Sequence, residues 1–220
     1  MPLPRFEKMP EDKKELILEA AAQEFAANGY EKTSMNRILD RAGISKGTAY
    51  YYFEDKEDLI ATVVRHYWLQ FIDDPQSAIS TSNAEDFWEK IEELYLHPYV
   101  DLENHPWMLG FGRSVWELPE EMRMSGHLGK VFSEAMEWIR GLIRYGRETG
   151  AIRLDLPEEL ETELLMALDS VHDRWLGAHW QEMDNLEREH HTRTFVDLLK
   201  KTLEKRYEQA DGEDERGLGS

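Results

Sequence analysis

Between Thr33 and Asp58 the chain reads TSMNRILDRAGISKGTAYYYFEDKED, a stretch whose side chains suit the grip and reading of a nucleic-acid duplex. Lys46 can donate to the O6 and N7 acceptors of guanine, and Thr48 can exchange a hydrogen bond with a base edge or meet a thymine methyl group. Gly47, between them, has no side chain and lets the backbone approach closely. Thr33, Ser34, Tyr50, Tyr51 and Lys56 offer hydroxyl, amide or ammonium groups of the kind that hold phosphate oxygens, and Arg37 can serve either purpose.

Such groups work only if short helices hold them at a fixed angle. Thr33 opens a helix as a hydroxyl able to cap free amides, and Gly43 closes it by taking a left-handed conformation. Ser45 then caps a second helix, Lys46 to Phe53, too short to bury much by itself. Two short helices about a glycine turn form a helix-turn-helix, whose second helix can enter the major groove. Ile38, Ala42, Ile44 and Ala49 should form the small core that sets the interhelical angle, with Tyr52 and Phe53 packing beside it. A supporting helix is expected from Pro10, with Ile17, Ala20, Ala21 and Phe25 at helical spacing and Asn28-Gly29 as its stop. Asp55 should cap a further helix, where Glu57 and Asp58 suit the positively polarised first turn. Lys56 runs against that charge logic, which gives it some other purpose.

Gly29, Tyr30, Thr33, Ser34, Ile38, Ala42, Gly43, Ile44, Ser45, Lys46, Gly47, Thr48, Tyr50, Phe53, Lys56 and Leu59 fall in an order and spacing that resembles the DNA-binding signature of the tetracycline-repressor (TetR) family. The likeness is strong over about residues 16 to 67 and weak beyond, and Leu39 departs from the small residue usual at its place. The resemblance implies an all-α protein: a three-helix helix-turn-helix DNA-binding domain over residues 1 to 55, then a larger helical ligand-binding and dimerisation domain over 56 to 208, entered by a connecting helix at 56 to 72. It also implies a homodimer on a palindromic operator, a small-molecule effector that releases it, and a phosphate contact for Lys56. It implies no cofactor and no catalysis.

The charge of −19 over 220 residues would ordinarily oppose DNA binding, which draws on Lys and Arg displacing counterions. The distribution is uneven. Residues 33 to 53 are net +2, and residues 1 to 67 are net −2, which leaves −17 on the rest. A nearly neutral head on an acidic body should orient on DNA with the body outward. There is no cysteine, which removes disulfides and thiolate metal sites and fits a cytoplasmic protein. No apolar run approaches the roughly 20 residues of a membrane helix. Residues 1 to 9 lack periodicity and read as a mobile arm through which Arg5 can reach a minor groove, and 209 to 220 read as a disordered tail.

In the body, Asp73 to Asp86 reads as a loop. Helical spacing returns from Phe87 until Pro98, around Trp107 to Trp116, from Val131 to Glu148, and after a turn with Gly150 as stop and Pro157 as the first residue of the next helix. That helix lines Leu160, Leu164, Leu168, Val171, Trp175 and Ala178 on one face, and a last helix does so with Phe195, Leu198, Leu199 and Thr202. In the family such a pair usually forms a four-helix dimer interface. Six of the seven tryptophans lie in the body; Trp107, Phe111, Trp138 and Trp175 are the candidates for a pocket taking an aromatic or cationic effector. Asp169 and His172 are spaced for a metal, but no complete metal set can be read. Two alternatives stand beside the ligand-responsive regulator: a DNA-binding regulator whose body takes a protein partner, and a metal-dependent enzyme resting on Asp169 and His172.

Overall fold

The computed structural model describes residues 2–44, 49–68, 83–96 and 105–205, together with Ile79 and Leu102; at 49, 50 and 68 it describes the backbone only. Eleven α-helices are described: α1 (Pro4–Glu7), α2 (Glu11–Lys32), α3 (Met35–Arg41), α4 (Ala49–Tyr52), α5 (Lys56–Trp68), α6 (Ala84–Leu96), α7 (Trp107–Trp116), α8 (Glu120–Arg123), α9 (Gly126–Glu148), α10 (Glu158–His179) and α11 (Asn185–Leu203). A 3-10 turn at Trp180–Glu182 joins the last two. No strand occurs among the described residues beyond one isolated antiparallel bridge, Ile152 to Glu204, so the all-α expectation is met.

The helix ends follow local chemistry. Gly29 stands at a positive φ of 65° and interrupts α2 where Asn28-Gly29 was expected to stop it, but helical turns continue to Lys32. The Asp55 carboxylate accepts from the Asp58 amide at 2.8 Å, the cap expected for α5. Gly150, at φ 76°, ends the turn after α9. Asp184 and Glu187 form a reciprocal capping box on α11.

Other boundaries move. The supposed loop ends early because the Asn83 side chain accepts from the amides of Glu85 and Asp86, starting α6 at Ala84; the rest of that loop lies outside the described residues, as do Pro98 and the tail. α9 begins at Gly126, five residues before Val131, and Pro157 is the residue before α10, not its first.

The amino-terminal arm is a correction. Residues 4 to 7 form a helical turn whose Phe6 is buried, with its ring 4.8 Å from Phe53 and 6.3 Å from Tyr52, while the Leu3 amide donates to the Tyr52 carbonyl. One aromatic anchor and Pro4 at the first helical turn suffice to order it, and four residues are too few to show a period.

Two apolar clusters fill the molecule. The first joins Phe6, Ile17, Phe25, Ile38 and Phe53 of the head to Val63 and Val64 of α5, Phe111 and Val115 of α7, and Leu128 and Val131 of α9. The second joins Phe87 and Ile91 of α6, Leu142 and Ile143 of α9, and Phe195, Leu199 and Leu203 of α11. Within it the Tyr95 hydroxyl donates to Asp169 at 2.8 Å, tying α6 to α10. Burial, and then the charge of Asp173, pushes the Asp169 carboxyl up to about 7, against the lowering effect of the Tyr95 hydrogen bond.

An acid whose pKa is higher in the fold than in the unfolded chain holds its proton longer in the fold, so stability falls as pH rises from the ordinary carboxylate range towards 7. Asp169→Asn keeps an acceptor for Tyr95 and abolishes this loss. Its melting temperature relative to the unsubstituted chain should therefore rise between pH 5 and pH 8; an unchanged difference would show that Asp169 titrates as an ordinary carboxylate.

Candidate nucleic-acid interface and its joint to the body

The helix-turn-helix is closed by two backbone hydrogen bonds at its turn. After α3 the Gly43 amide donates to the Asp40 carbonyl and the Ile44 amide to the Leu39 carbonyl, with Gly43 at φ 69°. That is the paired closure that a left-handed glycine permits at a helix end. Ile38, Leu39 and Phe53 are buried beneath the turn, so a bulky Leu39 is accommodated in the core. α4 then carries Tyr50 and Tyr51. Ser45, Lys46, Gly47 and Thr48 lie outside the described residues, as does the Tyr50 side chain.

Of the remaining predicted DNA contacts, Tyr51 is exposed, 46% accessible, with the Arg5 guanidinium 4.3 Å from its ring centroid, and Arg37 is exposed too. Ser34 precedes α3 half-buried and makes no capping bond through its side chain. Three others do structural work. Thr33 is buried and its hydroxyl donates to the Gly29 carbonyl at 2.7 Å; it closes the end of α2 and caps no amide of α3. Arg37 donates through Nε to Glu24 at 2.6 Å and through a terminal nitrogen to the Lys32 carbonyl at 2.6 Å. Glu24 is only 3% exposed, and Arg41 approaches its other oxygen at 3.9 Å. A carboxylate so buried needs a counter-charge, and Arg37 supplies it. Lys56 donates from Nζ to the carbonyls of Tyr30 (2.6 Å) and Glu31 (3.2 Å), with the ammonium 4.3 Å from the Tyr30 ring centroid. Burial, followed by the charges of Asp55, Glu57 and Glu31, raises the Tyr30 hydroxyl to about 12, so it stays neutral beneath that cation.

The residue beside Lys56 joins head to body. Glu57 Oε1 accepts from the His127 amide at 2.7 Å and lies 3.5 Å from the Leu128 amide, so it caps the positive end of α9. Glu54 reaches the His127 ring at 3.2 Å. A Cβ at Gly126 would sit 2.0 Å from Glu57 Oε1, and φ there is 60°, so only glycine leaves room for the carboxylate. A second tie runs from Arg65 of α5 to Glu134 of α9 at 2.5 Å. Neither Glu24 nor Glu57 was legible as functional, because each is defined by a partner far along the chain.

The four proposed pocket residues separate. Phe111 is fully buried against Phe25 in the first cluster, and Trp107 meets Tyr67 edge-on at 5.1 Å. Trp138 packs on the second cluster with its indole N–H buried and without an acceptor. Trp175 is 41% exposed, stacked on His179, along an open surface groove of about 470 Å³ shared with His172, Phe195 and Leu198. Among the described residues they stand in separate surroundings, because burial in a core is a competing destination for any aromatic side chain. His172 stacks on the Phe195 ring at 4.0 Å, and no group of three or more potential ligands for a metal occurs among the described residues.

The described residues thus hold a helix-turn-helix on a larger helical body. Residues 17–63 match the family described as bacterial regulatory proteins, tetR family. The fatty acid metabolism regulator protein of Bacillus subtilis is 23% identical over 161 residues, 73% of this chain and 81% of its own. The transcriptional repressor KstR2 of Mycobacterium tuberculosis is 26% identical over 162 residues, 72% of this chain and 78% of its own. In fold, the chain is similar to the regulator FadR of Bacillus subtilis, solved in complex with stearoyl-CoA, with a TM-score of 0.70 at 20% identity, covering 84% of this chain and 96% of that one. Residues 17–63 thus carry a helix-turn-helix of the tetR type, and the chain as a whole shares its helical fold with a solved regulator.

Because Arg37 neutralises a buried carboxylate, Arg37→Ala should cost about 1–3 kcal/mol in urea unfolding. Unchanged stability would return Arg37 to the solvent side of the interface.

Proposed function

We propose that the protein is a homodimeric, ligand-responsive repressor that binds a palindromic operator in the cytoplasm and is released by a small molecule held in the helical body. The observation that carries this reading is the paired α3 and α4 about Gly43, within the segment that matches the family model. Ser45, Lys46, Gly47, Thr48 and Tyr50 belong to the base-reading and phosphate-holding surface, with Tyr51 beside them. Lys46 is assigned to base reading.

Support for pairing of two copies comes from α10 and α11. Leu160, Val171 and Trp175 on α10 and Leu198 on α11 are 41% to 56% exposed, although all are large apolar groups. Their spacing follows one helical face, and a second copy of the same face would cover them. Twofold pairing would place two recognition helices one DNA turn apart, about 34–36 Å.

The effector reading rests on the relatives and on the body. FadR of similar fold is described with stearoyl-CoA, and the described pocket candidates form no aromatic cage to favour a cation. A ligand with a long apolar part is therefore preferred here to an aromatic or cationic one, with the Trp138 indole N–H as a donor for its polar group. Its binding would be read out through α9, whose amino end is capped by Glu57 of the head-bearing helix.

Selection of bound sequences from random DNA by the full chain tests the reading: a two-half-site palindrome is expected, and no enrichment overturns it. Leu198→Glu should yield monomers in sedimentation and lower operator affinity about 100-fold or more, since the avidity of two heads is lost. Glu57→Ala should leave operator binding in place but blunt its response to titrated stearoyl-CoA. A response of full size would remove Glu57 from the coupling path.

A further inference from the structure

We infer that the amino-terminal segment of this chain, α1 and the first turn of α2, is a phosphate-binding wall of the DNA interface, with Arg5, Lys8 and Lys13 as its cations. The inference rests on the DNA-binding reading above and adds to it residues outside the segment 17–63 that matches the family.

In sequence the positive charges of this segment are cancelled by Glu7, Glu11, Asp12 and Glu15. In space two of the four acids turn to other partners. Glu11 pairs with Lys14 at 3.1 Å. Glu15 is taken up by the His66 ring at 2.7 Å and the Tyr67 hydroxyl at 2.6 Å, on the side of α2 that faces α5. Arg5, Lys8 and Lys13 instead line one open groove of about 590 Å³, and among the described residues no acidic side chain lines it with them. Its opposite side is Gly43 and Tyr51, the turn and the exposed face of the helix-turn-helix. Leu16, 54% exposed, gives it an apolar floor of a kind that suits the hydrocarbon edge of a deoxyribose.

The groove is fixed in place. Phe6 is buried against Phe53, the Leu3 amide is bonded to Tyr52, and the Arg5 guanidinium rests on the Tyr51 ring, so the three cations are referenced to the end of α4. Three cations lining one groove, held beside the helix meant for the major groove, match a phosphodiester strand flanking that groove. It also supplies charge that the nearly neutral head otherwise lacks.

The test measures operator affinity of the full chain against salt concentration. Each lysine–phosphate contact contributes about 0.9 to the slope of log K against log salt, so Lys8→Gln with Lys13→Gln should lower it by about 3.6 for two heads on a palindrome. The loss should be equal on operator and random DNA. Phe6→Ala, which keeps every charge but releases α1, should lower the slope as well, while Lys90→Gln with Lys130→Gln on the body should not. An unchanged slope in the Lys8 and Lys13 variant, with the unsubstituted chain binding its operator, would overturn this inference alone. Failure of the unsubstituted chain to bind any DNA would overturn the DNA reading, and this inference with it.

Discussion

Two consecutive residues of opposite charge at the start of α5 set the position of everything on either side. Lys56 closes the carboxyl end of α2 by donating to two of its terminal carbonyls, and Glu57 closes the amino end of α9 by accepting from its first amides. Each charge meets the helix end of opposite polarity. For its own helix Lys56 is the wrong charge, and the contradiction is resolved because it serves another helix. Moving α5 by one turn would break both caps together, so the start of α5 is fixed to α2 and α9 at once.

The clamp matters because the apolar packing does not stop at the head. Phe25 of α2 lies 6.3 Å from Phe111 of α7, and the first cluster runs from Phe6 to Val131. α9 belongs to both clusters, through Leu128 and Val131 near its start and Leu142 and Ile143 near its end. Its 23 residues make a rod of about 34 Å. A change in the packing of the second cluster therefore has a stiff path to the capped end of α9, and from there to Glu57.

Local rules carried the reading of the helix-turn-helix. Gly43, Asp55 and the Gly29 kink act within four or five residues of themselves, and each stands as its neighbours require. The partners that sequence reading missed are those of side chains that choose between local and distant groups. Thr33 and Arg37 have the right chemistry for phosphate, yet Thr33 turns to the carbonyl of Gly29 and Arg37 to buried Glu24. Nothing in the spacing of positions 24 and 37 announces that pair. Phe6 was lost because a single anchor has no period, and the four aromatic pocket candidates because residue type cannot separate a core aromatic from a lining one.

These displaced assignments alter the electrostatic problem posed by the sequence. Arg37 is consumed by Glu24, which takes one of the three basic residues of the 33–53 segment out of the count available to phosphate, and Lys56 is consumed by carbonyls. The helix-turn-helix alone is thus poorer in free positive charge than its sequence suggests. An acidic body makes the deficit worse at long range, although screening confines that repulsion to about 8 Å at physiological salt. On the proposed reading, a head of this composition gathers charge from outside the motif or multiplies its grip by pairing. The docked amino terminus offers the first and the uncovered apolar faces of α10 and α11 the second, and both features lie in parts of the chain that the helix-turn-helix pattern does not reach.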